Sequence, residues 1–105
     1  MNQIQRRDGE AEEIARLKAI VDALPWPEFI TGVDICLTTF DGDPISRIVF
    51  TSRTPPLSDR AGIDRWAKEA NRFSFEVTRA VLAAGEERIP HVDFKTFEEA
   101  EPVRD

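Results

Sequence analysis

Residues 30–53 read "ITGVDICLTTFDGDPISRIVFTSR", and this stretch decides the fold. Two runs rich in β-branched and aromatic residues flank the tetrapeptide DGDP at 41–44. Asp and Gly form turns readily, and proline limits the local backbone. Two such runs around a short turn segment predict a β-hairpin with a loop at 41–44.

The register of this hairpin follows from the pairing of its largest side chains. With a four-residue loop, Leu37 faces Ile48 and Ile35 faces Phe50. Side chains alternate along a strand, so these pairs share one face and form its apolar side. The same register places Cys36 opposite Val49 on the other face.

The carboxylates of Asp41 and Asp43 raise the possibility of a metal site in the loop. A calcium loop of the EF-hand type starting at Asp41 needs an oxygen ligand at Ile45, a glycine at Ser46 and a glutamate at Ser52. None of these three positions carries the residue that the calcium loop requires. We therefore interpret the pair as a turn and predict no metal, no cofactor and no catalytic residue.

Two segments show the apolar periodicity of amphipathic helices. In 8–24, Asp8 can cap the start and two prolines follow the end. In 58–84, Ser58 can serve as the cap and Gly85 can end the helix in a left-handed conformation. The predicted core stripe of the second helix is Ile63, Trp66, Ala70, Phe73, Val77, Val81 and Ala84.

A third strand is predicted at 91–97, where apolar and polar residues alternate. The element order α-β-β-α-β predicts an α+β, two-layer sandwich with a three-stranded sheet and both helices on one face. The long helix carries the chain back across the sheet, so the third strand should run parallel to the second. It could pair beside the first strand, antiparallel to it, or beside the second, and we favour the first strand because that centres the most apolar strand. The whole of 1–105 forms one domain by length, with 1–8 and 98–105 frayed.

The opposite sheet face would remain uncovered and partly apolar. An open face and two sheet edges invite pairing with another copy or another protein, and we expect a homodimer. On the second helix, two apolar side chains lie almost opposite the core stripe. The candidate interface residues are Phe40, Ile45 and Val49 on the sheet and Phe75 and Leu82 on the helix.

Three remaining residue types have both a structural and a functional interpretation. Cys36 is the only cysteine and lies in an apolar strand, so we expect it to be buried core filler. A catalytic pair with His91, the only histidine, would need the two residues on neighbouring strands and has no third orienting group. Trp26 is expected to plug the end of the core with Phe29, and the alternative is an exposed interface anchor.

A candidate anion site lies between the hairpin and the second helix. Arg53, Ser58 and Arg60 surround a helix start, where free N–H groups attract phosphate. No glycine-rich cradle accompanies them, and Asp59 would oppose an anion. An ordinary connector is the favoured interpretation.

The net charge of the chain indicates which classes of partner it can bind. The chain carries a net charge of −6, of which residues 86–105 supply −4. Such a field repels phosphate backbones, so we expect no direct nucleic-acid binding, and no apolar run suggests a membrane partner. The sequence resembles a soluble, cytoplasmic globular protein in composition.

Taken together, these patterns favour a small acidic protein–protein interaction or regulatory module that is non-catalytic and homodimeric, with a basic protein as one candidate partner. The alternative is a small anion- or nucleotide-binding protein or enzyme that uses the 51–60 loop and the start of the second helix.

Overall fold

The computed structural model describes residues 2–98, with side chains from residue 9 onward. Five elements follow one another in the predicted order, which confirms the α+β class. They are α1 (Asn2–Asp22), β1 (Ile30–Phe40), β2 (Asp43–Thr54), α2 (Arg60–Ala83) and β3 (Ile89–Glu98). No helix among these residues is both long and apolar enough to cross a membrane.

The three strands form one sheet in the order β1-β2-β3. β1 is antiparallel to β2, and β3 is parallel to β2 as expected. The prediction that β3 pairs beside β1 is wrong, because β2 is the central strand. Its apolar side chains explain this position, since Ile45 on one face and Ile48 and Phe50 on the other are all at most 6% exposed.

The hairpin turn is tighter than predicted. Asp41 and Gly42 both have positive φ, 51° and 83°, which is the signature of a two-residue type I′ turn. Phe40 therefore pairs with Asp43 instead of Ile45. Pro44 belongs to the strand, because it lies at a position where its missing N–H is not needed to bond β1.

This shorter turn shifts the whole register by two residues from the predicted one. Ile35 lies opposite Ile48, and Val33 lies opposite Phe50. Because side chains alternate with a period of two, a shift of two residues keeps each side chain on its predicted face. The predicted pairs are wrong, whereas the predicted division of the hairpin into two faces is confirmed.

Both helices pack on the same face of the sheet. α1 contacts α2 and β1, and α2 contacts β3. The buried cluster draws on both helices and on the even-numbered side chains of β2. Its members are Leu17, Val21, Ile30, Ile48, Phe50, Phe73, Val77 and Val81.

α2 begins and ends at identifiable caps. The carboxylate of Asp59 accepts a hydrogen bond from the Gly62 amide at 3.0 Å, so Asp59 and not Ser58 is the N-cap. An aspartate carboxylate also interacts favourably with the positive end of the helix dipole. Gly85 follows the C-cap with φ 81°, as predicted. Of the predicted stripe, Ala84 is exposed and the remainder is buried or half-buried.

α1 starts earlier than the sequence indicates. Ion pairs connect it to the segment between α2 and β3. Asp8 lies inside the helix and is not its cap, because no Gly or Pro precedes it to stop the helix. Arg88 donates to Glu13 at 2.9 Å in a largely buried pair. Arg16 donates to Glu86, and this bond raises the pKa of Arg16 above its ordinary value.

Trp26 closes the end of the core after α1. Its indole N–H donates to the Val21 carbonyl at 2.9 Å, and its ring meets Phe50 edge to face at 5.7 Å. The plug interpretation is confirmed, although the ring that Trp26 contacts is Phe50. Phe29 packs against Trp66 instead, at 6.2 Å.

Two buried serines on β2 differ in their hydrogen bonds. Ser46 and Ser52 are both 0% exposed and lie on the helix-covered face. The Ser52 hydroxyl accepts from the Trp66 indole at 2.9 Å and donates to the Arg53 carbonyl at 3.0 Å. The Ser46 hydroxyl has no hydrogen-bond partner among the residues that the structure describes. An unpaired buried hydroxyl costs free energy, whereas a paired one does not.

We expect alanine to have opposite effects at these two positions. Ser46→Ala should raise the free energy of unfolding by about 1 kcal/mol, because it removes the unpaired hydroxyl. Ser52→Ala should lower it by about 1–2 kcal/mol, because the Trp66 N–H loses its acceptor. Urea denaturation followed by fluorescence measures both. Equal losses of stability in the two variants would contradict this account.

The hairpin turn provides a second test of stability. Gly42→Ala should lower the free energy of unfolding by about 1 kcal/mol, since a side chain at positive φ is strained. Gly9→Ala is the matched control, because Gly9 lies within α1 and an added methyl group meets no atom within 4 Å. The control should raise stability by about 0.5–1 kcal/mol. A neutral Gly42→Ala variant would show that the turn does not need positive φ.

Candidate interaction surface

The open sheet face is the side that neither α1 nor α2 covers. It carries the even-numbered side chains of β1 from Asp34 onward and the odd-numbered side chains of β2 and β3; Ile30 belongs to the core instead, because the register shifts between Ile30 and Gly32. The largest exposed apolar residues on this face are Phe40, Ile89 and Phe97, which are 60%, 52% and 45% exposed. Three large apolar side chains on one uncovered face are the clearest candidate for a binding surface.

The hairpin end of the open sheet face is its most apolar part. The rings of Phe40 on β1 and His91 on β3 lie 5.9 Å apart. Because β1 and β3 flank β2, this contact passes over the central strand. Ile45 lies beneath it and is only 6% exposed. Of the predicted interface residues, Phe40 is therefore at the surface, whereas Ile45 supports the surface from below.

The middle of the open sheet face is mixed in character. Arg47 donates to Asp93 at 3.3 Å across β2 and β3, with both side chains more than half exposed. An exposed pair of this kind adds little stability. Val49 is half-buried beside it. The charged pair in the central part could orient a bound partner, but this part offers less apolar area than the hairpin end.

Cys36 is exposed on the open sheet face. The expectation that it fills the core is wrong, because an edge strand in a two-layer fold buries only one of its two faces. Cys36 pairs with Arg47, and Arg47 pairs with His91 on the other side. β2 thus separates Cys36 from His91 by two strand spacings, so the two side chains do not form a catalytic pair.

The opposite end of the face is where β3 meets the connection to α2. Phe97 lies there, and its carbonyl accepts a hydrogen bond from the Thr54 hydroxyl at 3.3 Å. The Glu98 carboxylate accepts from the Leu57 amide at 3.0 Å. These bonds hold β3 against the end of β2, so Phe97 sits on a fixed backbone.

The two predicted interface residues on the helix are exposed as expected. Phe75 is 69% exposed and Leu82 is 55% exposed, and both lie on the side of α2 that faces away from the sheet. They are therefore separate from the open sheet face, and the structure does not bring the five predicted interface residues into one patch.

The residues of the candidate anion site lie in the connection before α2. Arg53 donates to the Glu28 carbonyl at 3.0 Å, and Ser58 and Arg60 are exposed. Two amides of this region already bond to carboxylates, because Asp59 accepts from Gly62 and Glu98 accepts from Leu57. This arrangement places negative charge where an anion would have to bind.

One apolar depression lies outside the open sheet face. It has a volume of about 420 Å³ and lies between the start of β1 and the first turns of α2. Phe29, Trp66 and Pro55 line it, but it is broad and open. Among residues 2–98, no group of three or more His, Cys, Asp or Glu side chains is placed to hold a metal ion.

Ile89 is the surface residue that sequence reasoning missed. The third strand was expected to begin at His91, and the structure begins it two residues earlier. The alternation of Ile89, His91 and Asp93 on one face was present in the sequence. Pro90 concealed it, although a proline is tolerated near the first residue of an edge strand.

Comparisons with family models, with curated proteins and with solved structures each gave no match to this chain, so the open sheet face is interpreted from its own residues.

Proposed function

We propose that this chain is a small, acidic, non-catalytic protein–protein interaction module that acts as a homodimer and docks on a partner protein through the open sheet face. The exposure of Phe40, Ile89 and Phe97 on that face is the observation that supports the proposal. The module acts in the cytoplasm, where Cys36 stays reduced.

The hairpin end of the face would supply most of the binding energy. Burying a large apolar side chain contributes about 1.5–3 kcal/mol, so Phe40 and Ile89 together offer enough to act as anchors. Ile45 is buried at this end of the face, beneath Phe40 and beside Ile89. The backbone that carries the two anchors is therefore already in place before binding. A preformed anchor loses less conformational entropy than a flexible one.

Charge points to the chemistry of the partner. With a net charge of −6, the chain attracts a basic protein surface over a long range and repels phosphate backbones. Asp34 and Asp93 are exposed on the open sheet face itself. A partner with apolar side chains surrounded by lysine or arginine would fit this surface.

The alternative function, binding of a small anion or nucleotide before α2, takes second place. The carboxylates of Asp59 and Glu98 accept hydrogen bonds from two amides of this region and place negative charge beside it. Phosphate titration followed by amide NMR separates the two ideas, since only the alternative expects shifts clustered at residues 51–63.

Light scattering over a wide range of concentration tests the homodimer. We expect the measured mass to approach twice 11.9 kDa at several hundred micromolar and to fall on dilution. Added salt should strengthen association, because it screens the repulsion between two copies of net charge −6. A strict monomer at every concentration and salt level would remove the homodimer from the proposal.

Paired lysine substitutions test the docking face. In an affinity pull-down from the native host, Phe40→Lys with Ile89→Lys should abolish capture of the partner, because both anchors are lost and a basic surface is repelled. Leu57→Lys is the control, since Leu57 is 75% exposed but lies outside the open sheet face. It should leave capture unchanged.

Circular dichroism and thermal melting of both variants show whether they remain folded. Undiminished capture by a folded double variant would overturn the role of the open sheet face.

A further inference from the structure

The two edges of the sheet differ in their protection against strand pairing. β1 forms one edge, is 11 residues long and contains one charged residue, Asp34, and no proline. β3 forms the other edge and contains Pro90, Asp93 and Lys95, with α2 packed beside it. Natural proteins block edges with proline, lysine and covering helices. The β1 edge contains neither proline nor lysine, although α1 contacts β1 as α2 contacts β3.

The backbone of β1 presents a regular set of unpaired groups along this edge. Phe40 and Asp43 flank the two-residue turn and bond to each other, so every second residue back from Phe40 bonds to β2. The N–H and C=O groups of Val33, Ile35, Leu37 and Thr39 therefore point away from the sheet. No other strand among residues 2–98 pairs with them.

The side chains along the edge also lack full cover. Val33, Ile35 and Leu37 point toward the helices and pack against the core, yet each is only half-buried. Their neighbours Ile48 and Phe50 on β2 are 0% exposed. The difference arises because β2 has a strand on each side, whereas β1 has one. A strand added beside β1 would cover these three side chains laterally.

We propose that two copies of this chain pair β1 with β1 in antiparallel orientation, with the two-fold axis at Cys36, so that the dimer contains one continuous six-stranded sheet. This inference rests on the homodimer of the proposed function and names the surface that forms it. The occupant is a second copy because an antiparallel edge is complementary to itself, with each outward N–H meeting an outward C=O.

The proposed register agrees with the outward backbone groups and with the position of Asp34. Only odd-numbered residues of β1 point outward, so odd must pair with odd across the axis. With the axis at Cys36, Ile35 lies opposite Leu37 of the second copy, and Asp34 lies opposite Thr38. The apolar residues then meet on the helix side, and the one charge of the strand does not oppose itself.

This pairing would enlarge the open sheet face. In the six-stranded sheet the open faces of both copies lie on the same side, because the two-fold axis stands perpendicular to the sheet. Three strands of about ten residues cover roughly 470 Å² of flat area, so the two copies together cover roughly 940 Å².

A single substitution separates dimerisation from folding. Within each copy, Cys36→Glu places a carboxylate opposite Arg47, which favours the fold. Across the proposed axis, the same carboxylate faces the carboxylate of the second copy, and this repulsion opposes pairing. Analytical ultracentrifugation should show the dimer dissociation constant raised at least ten-fold. Lys95→Glu is the matched control on the same face at the other edge and should leave the constant within about two-fold.

Spin labels test the geometry directly. A nitroxide on Cys36, the only cysteine, should show strong dipolar broadening in the dimer, because the two labelled residues lie on adjacent strands. In a Cys36→Ser, Lys95→Cys chain the labels lie on the two outermost strands. Their backbones are then separated by at least five strand spacings, about 24 Å, and broadening should be weak.

These outcomes distinguish the inference from the proposed function. A dimer that persists in Cys36→Glu, or one whose labels at position 95 are closer than those at position 36, overturns the β1 pairing and leaves a homodimer formed elsewhere. A wild-type chain that stays monomeric removes both the homodimer and this pairing. The lysine variants of the open sheet face still test partner docking separately.

Discussion

Phe50 is the residue on which the packing of this structure depends. It is 0% exposed, and its ring meets Phe73 of α2 at 5.0 Å, Trp26 after α1 at 5.7 Å and Phe94 of β3 at 5.8 Å. One side chain on the central strand thus joins α2, the segment after α1 and the neighbouring strand. Aromatic pairs in these geometries contribute beyond the area they bury.

The uncovered sheet face is a consequence of this arrangement. Both helices pack around Phe50 and Ile48, so residues 2–98 form no third layer that would cover Phe40 and Ile89 on the other side. A domain of this length has about enough apolar surface for one core. Within the same residues β1 is an edge without a covering strand, so the proposed docking face and the proposed dimer edge would have one cause.

Local patterns in the sequence predict most of the fold. Helical periodicity found α2 and its core stripe, and strand alternation found the two faces of the hairpin. Positions that depend on one hydrogen bond or one dihedral angle were less certain. Asp59 replaces Ser58 as the cap, and the turn at Asp41 and Gly42 is two residues shorter than expected. The side-chain oxygen of Ser58 or of Asp59 could accept an amide at the start of α2, and Pro44 made a four-residue loop equally reasonable.

The sequence by itself determined the order of the elements, the side on which each strand residue points and the sign of the surface charge, because these depend on periodicity and composition alone. Only the tertiary structure decided that β3 pairs with β2, that Cys36 is exposed and that Ile45 is buried beneath Phe40 and His91. Those outcomes depend on which strand occupies the centre of the sheet, and that choice is made by packing between residues far apart in the chain.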